Sequence, residues 1–485
     1  MINREITNFQ ISNFKISNIL VLTQGYQYIH MFYGREKELQ ALEEIYNSGR
    51  FEFIPIYGRL RVGKTTLMRE FLKNHKGVFF TAKNDTLKVN VDGLASAVFG
   101  VKVSASIESV LEEVKRRSKD DRYILVIDEY PRIVKRNPSF GDYLQEFIDD
   151  IHDESKLFLI LCGSSISNME HEVLGYKSPL YGRRTGSMKL LPLNVWDSMQ
   201  FLRGFGKEDS MRIYGMVGGI PLYLRLFDPN YSLKENVVRL FVGETSFFRN
   251  EHYLMFIEEM ERPFTYFKVM EAIAAGKVNV GEIATYCECE SSATTQHLNV
   301  LIAMGLVGKR KPVDNPNGKM TRYHITDPFL RFQFSRILPV LDDIDPDNSD
   351  GHVETTLGLF ETDMGHVFEE VCAEHMRCVY GGAIGTWWGT DRNTRTIEEI
   401  DIIASKMVDG NKTGWFAECK YRSGPVDMEV LGKLRHRITL VKGYSVSHPV
   451  IYSRSGFTET VLNDADVDLY TLDDVLNYHV DRREI

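Results

Sequence analysis

The first half of the chain alternates between two hydrophobic patterns. From Phe32 to about Asp228, short apolar runs of strand length are separated by longer stretches with the spacing of amphipathic helices. The clearest apolar runs are 53–57, 78–81, 123–128 and 157–162. This alternation predicts a parallel sheet flanked by helices. The segment 229–260 has helical spacing, and we expect it to be a helical connector to the next domain.

The pattern changes after residue 260. Residues 261–330 predict three short helices, at 263–275, 280–286 and 291–304, followed by a hairpin that returns at 321–325. This order is typical of a winged helix-turn-helix domain. The acidic stretch that follows has the composition of a linker, which we set at 331–351. Residues 352–485 predict a smaller α/β domain with the order helix, three strands, helix, strand, helix.

Residues 1–30 fit neither pattern. They are rich in Asn, they repeat Ile-Ser-Asn at 11–13 and 16–18, and their longest apolar run, 19–22, is too short for the core of a signal peptide. We interpret them as a disordered leader or as an upstream start that is not used, with an extra edge strand as the alternative. The first large domain is therefore predicted at 31–228.

Composition narrows the class of protein. The chain has 485 residues, of which 43% are hydrophobic and 26% charged, with a net charge of −9. This is ordinary for a globular protein, and the length suggests about three domains. The acidic balance excludes a uniformly basic coat, so any nucleic-acid site must be local. No apolar run approaches about 18 residues, so we expect no membrane span. The six cysteines contain no CxxC pair, which argues against a zinc site and favours a cytoplasmic protein with reduced thiols.

One segment carries a motif with defined chemistry. Gly58, Gly63, Lys64 and Thr65 fit G-x-x-x-x-G-K-[ST], directly after an apolar strand and before a helix. In this setting the backbone N–H groups of the loop face the β-phosphate, the lysine reaches the β- and γ-phosphates, and the threonine hydroxyl binds Mg²⁺. We therefore predict ATP and Mg²⁺ as cofactors. The predicted nucleotide-binding residues of the loop are Gly58, Arg59, Leu60, Arg61, Val62, Gly63, Lys64, Thr65 and Thr66.

Two carboxylates end a later apolar strand, at Asp128 and Glu129. Acidic residues at the carboxyl end of a strand lie where open α/β sheets bind ligands. Together with the P-loop, this pattern predicts that Asp128 joins Thr65 in holding Mg²⁺ and that Glu129 polarises the attacking water. The next strand ends in Gly-Ser-Ser at 163–165, where a polar side chain could sense the γ-phosphate. An ordinary serine-rich turn is the alternative there.

Three further motifs lie in the same region, namely Phe32-Tyr-Gly-Arg-Glu-Lys-Glu-Leu39, Leu180-Tyr-Gly-Arg183-Arg184-Thr185 and Gly218-Gly-Ile-Pro221-Leu-Tyr-Leu224. They resemble the archaeal-type ATPases, a P-loop family related to AAA+ and STAND ATPases. The resemblance implies that Pro221 packs near the nucleotide. It also implies that Arg183 or Arg184 could act as an arginine finger, in cis or from a neighbouring subunit of a homo-oligomer. A surface arginine pair is the alternative.

The middle domain carries a local basic patch. Across 305–325 the charge is +4, from five basic residues less one acid, Lys309, Arg310, Lys311, Lys319 and Arg322 against Asp314. Such a patch suits phosphate contact by a wing, so DNA is a predicted partner. The third helix lacks Arg and Lys, which weakens the case that it recognises base edges. The polar residues that it could present to a major groove are Ser291, Ser292, Thr294, Thr295 and Gln296. The alternative is a packing or regulatory domain that does not touch DNA.

The last domain holds a second candidate site. Glu418 and Lys420 share one face of a predicted strand, and Asp401 lies on a neighbouring strand. Two carboxylates and a lysine on one side of a sheet suit Mg²⁺-assisted phosphodiester hydrolysis. The trio resembles the PD-(D/E)xK nuclease core, and this resemblance implies that Glu369 joins Asp401 and Glu418 as a metal-binding acid. The alternative is an ion pair between Glu418 and Lys420 on an exposed strand.

Two neighbouring features extend the resemblance to nearly all of 32–485. The turn at 387–389, Trp-Trp-Gly, resembles the domain of unknown function that commonly follows archaeal-type ATPases, and the helix at 431–437 is basic and suits a DNA backbone. The predicted fold class is α/β, with a P-loop NTPase sheet, a winged helix-turn-helix domain and a nuclease-like domain.

The predicted function is an ATPase whose nucleotide state controls a C-terminal module that binds DNA and could cleave it. The first alternative is a non-catalytic ATP-dependent switch that binds DNA or protein through a degenerate nuclease domain. The second alternative is a chaperone-like ATPase that acts on protein, which would have no affinity for DNA even at low salt.

Overall fold

The structure is a computed structural model that describes residues 32–164, 169–260, 263–314, 321–341 and 350–478. The predicted leader at 1–30, Ser165 and Lys319 lie outside these ranges. The chain divides into two units, Met1–Tyr33 and Gly34–Ile485, and every contact given below is within the second. No helix in the described ranges is both long and apolar enough to cross a membrane.

A five-stranded parallel sheet organises the first region. Its strands are β1 Glu52–Tyr57, β2 Gly77–Thr81, β3 Tyr123–Asp128, β4 Leu157–Gly163 and β5 Met188–Lys189. They lie in the order β2-β3-β4-β1-β5, and each neighbouring pair is parallel. Every residue of β3 and β4 is buried, as expected for apolar strands inside a parallel sheet. The predicted parallel sheet is confirmed, and β5 is a strand that the hydrophobic pattern did not predict.

Helices flank this sheet. They are α1 Glu36–Tyr46, α2 Lys64–Leu72, α3 Leu87–Phe99, α4 Ile107–Ser118, α5 Tyr130–Arg136, α6 Ser139–Ile151, α7 Val195–Met199, α8 Lys207–Val217 and α9 Pro221–Leu224. Leu94, Val110 and Leu144 from α3, α4 and α6 belong to one buried cluster with Leu125 and Leu159 of the sheet. This packing fixes the carboxyl ends of β1 and β3 at one edge, where ligands bind in open α/β sheets.

Helices and a hairpin form the middle region. Its elements are α10 Leu233–Val237, α11 Glu251–Glu259, α12 Pro263–Ala274, α13 Val280–Cys287, α14 Ser291–Ala303, β6 Val307–Arg310, β7 Arg322–Ile325, α15 Pro328–Phe332 and α16 Leu338–Leu341. The strands β6 and β7 are antiparallel, with Val307 opposite Ile325. The predicted order of three helices and a hairpin is confirmed, with helix ends within a residue of those expected.

The linker predicted at 331–351 is wrong over about its first half. Residues 331–341 are helical, with a π-helical turn at Gln333–Ile337 between α15 and α16. Phe332, Phe334 and Ile337 are buried there, so this segment packs as a structural element. The acidic composition that suggested a linker belongs to residues 342–349, which lie outside the described ranges.

A second five-stranded sheet forms the C-terminal region. Its elements are α17 Asp350–Tyr380, β8 Ala383–Thr390, β9 Ile397–Val408, β10 Asn411–Lys420, α18 Met428–Leu440, β11 Val446–Ser453, α19 Glu459–Leu462, β12 Asp468–Thr471 and α20 Leu472–Leu476. The strand order is β12-β11-β10-β9-β8. The strands β8 to β10 pair antiparallel, and β10 to β12 pair parallel. Phe416, Ile451 and Leu434 lie in the core between this sheet and α18.

The middle hairpin packs on the edge of this second sheet. Val313 N donates to Thr386 O at 3.1 Å, and Trp387 Nε1 donates to Asp314 Oδ2 at 2.8 Å. The Arg322 guanidinium lies 4.4 Å from the ring centre of Trp388. The hairpin therefore docks on β8 through polar and aromatic contacts.

Candidate functional site

The P-loop connects β1 to α2. Gly63 precedes α2 with φ 101, and Arg61 also has a positive φ of 67. At Gly58 a Cβ atom would lie 2.2 Å from Leu190 O, so only glycine fits there. Backbone turned in this way directs successive N–H groups into one concavity, and the start of α2 adds the positive end of the helix dipole. The loop thus has the backbone of an anion cradle.

Lys64 lies within this loop. Its side chain donates to Gly58 O at 2.7 Å and to Arg59 O at 3.0 Å, and the residue is 5% exposed. These contacts hold the ammonium group at the P-loop itself, where it can meet phosphate oxygens.

Thr65 and Asp128 lie together, as predicted for an Mg²⁺ site. Thr65 Oγ1 donates to Asp128 Oδ2 at 2.8 Å. Asp128 is 2% exposed, and burial raises its pKa, against the opposing effect of the Thr65 hydrogen bond. A buried carboxylate beside a hydroxyl is a ligand set that suits a hard divalent cation, because the cation would replace the lost hydration of the charge. The residues therefore fit Mg²⁺.

Glu129 follows β3 in a left-handed conformation, with φ 56. Ser164 Oγ, at the end of β4, donates to Glu129 Oε1, and Arg132 Nε lies 3.4 Å from Glu129 Oε2. The two contacts fix the orientation of this carboxylate. The serine-rich end of β4 thus contributes Ser164 to the site.

Two more motifs meet the P-loop. Arg35, from the first motif, donates to Val62 O at 3.0 Å and to Leu191 O at 2.8 Å. Pro221 Cγ lies 3.9 Å from where a Cβ would stand on Gly63, so Pro221 packs on the P-loop, and its place near the nucleotide stays a prediction. The contacts of Arg35 were not predicted, although its motif was recognised.

Arg183 and Arg184 lie away from the P-loop. Thr185 N donates to Phe53 O at 3.0 Å, near the amino end of β1, whereas the P-loop leaves the carboxyl end, about 16 Å along an extended strand. Arg183 donates to both oxygens of Asp149, at 2.6 and 2.7 Å, and Arg184 is exposed. The structure therefore does not bring either arginine to the P-loop of its own chain. A contribution to a neighbouring subunit stays a prediction.

The predicted carboxylates of the C-terminal site come together. In the register of β9 and β10, Ala417 pairs with Ile402, which sets Glu418 opposite Asp401. Asp401 Oδ2 accepts a hydrogen bond from Cys419 N at 2.8 Å. Burial and the nearby carboxylates of Glu418 and Glu369 raise the pKa of Asp401. Such mutual repulsion between acids is relieved by a cation, which is the behaviour expected of a metal site.

Two basic side chains pair with the Glu418 carboxylate. Lys420 Nζ lies 2.6 Å from Glu418 Oε1. Arg437 Nη1, from α18, donates to both Glu418 oxygens at 3.0 and 2.9 Å, and its Nε donates to Glu398 Oε2 at 2.8 Å. The sequence indicated a basic helix here, but gave no signal that Arg437 turns inward.

The C-terminal acids do not form a ready-made metal cage. Within the ranges the structure describes, no group of three or more His, Cys, Asp or Glu residues is arranged to hold a metal ion. Glu369, on α17, contacts His366, whose Nδ1 lies 3.2 Å from Glu369 Oε2. Asp401 and Glu418 therefore have the chemistry of metal ligands, but Glu418 must exchange its guanidinium partner before it can bind a cation.

A large cleft connects the regions. Its volume is about 1310 Å³. Residues of the nucleotide domain, the middle hairpin and the C-terminal domain line it together, among them Arg35, Gly219, Lys309, Lys311, Glu369 and Asp401. Arg35 contacts the P-loop directly, so the cleft extends from the neighbourhood of the nucleotide site to Glu369 and Asp401, whereas Glu418 and Lys420 line a separate, smaller pocket.

Two family models match the chain. One, described as an ATPase domain predominantly from Archaea, matches residues 32–227, and the other, described as Archaea bacterial proteins of unknown function, matches residues 333–431. An uncharacterized protein of Methanocaldococcus jannaschii is 35% identical over 406 residues, which cover 81% of this chain and 88% of that protein. The chain belongs to this archaeal-type ATPase family. The match to this relative covers 81% of the chain, so the similarity extends beyond the P-loop domain.

Shorter and more distant similarities accompany this relative. An uncharacterized ATP-binding protein of the same organism is 48% identical over 48 residues, 10% of this ATPase and 81% of that protein. Among solved structures, the Walker-type ATPase of Pyrococcus abyssi has a TM-score of 0.48 and 20% identity, covering 62% of this chain and 96% of its own. The ORC2 protein of Aeropyrum pernix has a TM-score of 0.45 and 15% identity, covering 67% and 95%.

Proposed function

We propose that this archaeal-type ATPase binds and hydrolyses ATP and that its nucleotide state controls a C-terminal module that binds and cleaves DNA. The observation that carries this proposal is the shared cleft, because residues of the P-loop domain, the basic hairpin and the acidic pair Glu369 and Asp401 line one cavity. A movement of the P-loop domain on ATP binding would change the walls against which a nucleic acid lies.

The proposed ATP chemistry uses the residues around the P-loop. The loop N–H groups and Lys64 bind phosphate oxygens, while Thr65 and Asp128 hold Mg²⁺. When bound, Mg²⁺ neutralises charge on the phosphate oxygens. Glu129 accepts a hydrogen bond from Ser164, which orients the carboxylate so that it can position a water and accept its proton.

The proposed DNA contacts come from the middle region. Its order of three helices and a hairpin supports a winged helix-turn-helix assignment. The candidates for phosphate contact are reduced, because Arg310 bonds to His366 and Arg322 pairs with Glu399. Lys309 of β6 and Lys311, the residue just after β6, line the cleft, where a phosphate chain would meet them.

The third helix offers a narrower surface than the sequence suggested. Ser291, Ser292 and Gln296 are exposed on α14. Thr294 is buried and donates to Glu290 O at 3.0 Å, so it cannot face a groove. The exposed polar groups suit backbone or shape recognition better than reading of base edges.

A second candidate function is favoured by the contacts of Glu418. Both of its oxygens accept from Arg437, and a carboxylate neutralised in this way does not need a cation. A switch that binds DNA without cleaving it would keep this ion pair in every nucleotide state. The Asp401, Glu418 and Lys420 trio would then hold the domain together instead of performing chemistry.

One experiment separates the two candidates. Labelled single-stranded and double-stranded DNA are incubated with the protein and Mg²⁺ or Mn²⁺, with and without ATP, and both binding and product length are followed. We expect cleavage by the wild type, none by Asp401→Ala, and wild-type products from the matched control Asp409→Asn, in the exposed turn of the same β9–β10 hairpin.

The outcomes have distinct meanings. Cleavage that persists in Asp401→Ala would reject the assigned site. Mobility shifts that depend on ATP but leave the DNA intact would favour the switch. Absence of any DNA binding at low salt would reject both candidates and favour an ATPase that acts on protein.

A further inference from the structure

Two arginines inside the P-loop pair with acids of the middle region. Arg59 Nη1 pairs with Asp327 Oδ2, and Arg61 Nη1 lies 2.6 Å from Glu251 Oε2. Both acids lie after residue 227, where the match to the ATPase domain ends. The loop that binds phosphate is therefore held from outside the matched domain.

These pairs are shielded from water. Glu251 is 1% exposed and Asp327 is 6% exposed, while the side chains of Arg59 and Arg61 are 13% and 18% exposed. Ion pairs that exclude solvent hold their geometry more firmly than surface pairs, because neither partner can exchange the other for water without an uncompensated charge. The two contacts therefore fix the arginines in position.

Arg61 has a reason to need such an anchor. Its φ of 67 places it in the left-handed region, which residues with a Cβ seldom adopt without compensation. Its guanidinium also lies 4.6 Å from the ring centre of Phe247, and Tyr223 donates to the other oxygen of Glu251 at 2.6 Å. The side-chain contacts thus offset a backbone conformation that the anion cradle requires.

Asp327 links the loop to the hairpin. Besides pairing with Arg59, it caps α15 by accepting a hydrogen bond from Leu330 N at 2.8 Å. It lies just after β7, which ends at Ile325. A shift of the P-loop would therefore be transmitted through the Arg59–Asp327 pair to the junction between the hairpin and α15.

We propose that Glu251 and Asp327 are positioning residues of the nucleotide site, which hold the P-loop in its phosphate-binding shape through Arg61 and Arg59. The segment that contains them completes the ATP site, and the region 32–227 binds nucleotide weakly without it. This inference concerns nucleotide affinity alone, so it holds or fails independently of any action on DNA.

The first test measures nucleotide affinity in the full chain without DNA. Glu251→Gln and Asp327→Asn should each weaken binding of a fluorescent ATP analogue with Mg²⁺ by about tenfold, a loss of about 1.4 kcal/mol. The control is Glu113→Gln, which removes an acid that pairs with Arg116 and Arg117 on the surface of α4 and should leave affinity unchanged. Folding is checked by the melting temperature without nucleotide. Wild-type affinity in both folded variants would overturn the proposal.

The second test isolates the shape of the loop. Arg61→Gly and Arg61→Ala are each combined with Glu251→Gln, so that both double variants lose the same contacts and leave no buried unpaired acid. Glycine takes a positive φ freely and alanine does not, so the glycine variant should bind the analogue several-fold more tightly than the alanine variant. Equal affinities, or tighter binding by the alanine variant, would overturn the positioning role.

Discussion

Arg437 Nη1 lies 3.0 and 2.9 Å from the two carboxylate oxygens of Glu418. The same carboxylate is a predicted metal ligand, so a cation bound there would compete with the guanidinium for one group. Metal binding at Glu418 would therefore depend on the position of α18, which carries Arg437.

Removal of Arg437 should favour metal binding. In Arg437→Met, Glu418 no longer has to exchange a guanidinium for a cation, so we expect Mn²⁺ to raise the melting temperature more than in the wild type. Without metal the variant should be less stable by about 1–3 kcal/mol, because Glu418 is left with fewer partners. Glu398→Gln is the control, since it removes the charge of the other carboxylate that accepts from Arg437 and leaves Glu418 paired. Equal Mn²⁺ shifts in wild type and Arg437→Met would contradict the assignment of Glu418 as a ligand.

Variants of Lys64 and Glu129 should distinguish nucleotide binding from ATP turnover. Lys64→Ala is expected to abolish ATP hydrolysis, because it removes the charge that meets the phosphates. Glu129→Gln should retain nucleotide affinity but lose turnover by about 100-fold or more, because the amide cannot accept a proton. Steady-state hydrolysis and equilibrium nucleotide titration distinguish the two effects. Wild-type turnover in either variant would refute the role given to that residue.

Gly219 should tolerate no side chain. A Cβ there would lie 1.8 Å from Leu193 O, and Gly219 O accepts from Leu193 N at 2.8 Å. Gly219→Ala should therefore lower stability by about 1–3 kcal/mol and weaken ATP binding, because Pro221 packs on the P-loop just beyond. Gly432→Ala is the matched control, since a Cβ at this position of α18 meets nothing within 4 Å, and it should stabilise the protein by about 0.5–1 kcal/mol. Equal melting temperatures for the two variants would contradict the close approach at Gly219.

His375 should make the C-terminal region sensitive to acid. It is 1% exposed, and burial lowers its pKa to about 4, below the value of about 6.5 in an unfolded chain. As the pH falls, the unfolded state takes up the proton first, so stability is fully present above about pH 6.5 and is lost towards pH 4.

The measurement compares unfolding at two pH values. Between pH 7.5 and pH 5, the free energy of unfolding by urea should fall by about 2 kcal/mol more in the wild type than in His375→Gln. His448→Gln changes an exposed histidine and serves as the control, with the pH dependence of the wild type. A pH dependence in His375→Gln equal to that of the wild type would show that His375 does not titrate as expected.

Local motifs made much of the nucleotide site predictable. Gly58, Lys64 and Thr65 are contiguous in sequence with the strand and helix that position them, and Asp128 ends a strand whose apolar pattern is unmistakable. The two-residue strand β5 was not predicted, because so short a strand shows no alternation of apolar and polar residues. Its place in the sheet is fixed by pairing with Ile56 and Tyr57.

Contacts between distant side chains could not be read from the sequence. The pairs Arg437–Glu418 and Arg59–Asp327 depend on how helices pack on sheets, and a basic residue looks alike whether it faces water or a buried acid. The same limit applies to Thr294, whose burial follows from the rotation of α14 about its axis and not from its own polarity.

The pairing of P-loop arginines with Glu251 and Asp327 has a consequence for exchange of parts between relatives. The two family models cover 32–227 and 333–431, and the paired acids lie in the interval that neither covers. A chimaera that joins the P-loop domain of one protein to the C-terminal domain of another would inherit its interval from only one parent. We therefore expect a chimaera to keep its nucleotide site only when the interval 228–332 and the P-loop come from the same parent. Residues 32–332 would then be the unit to exchange.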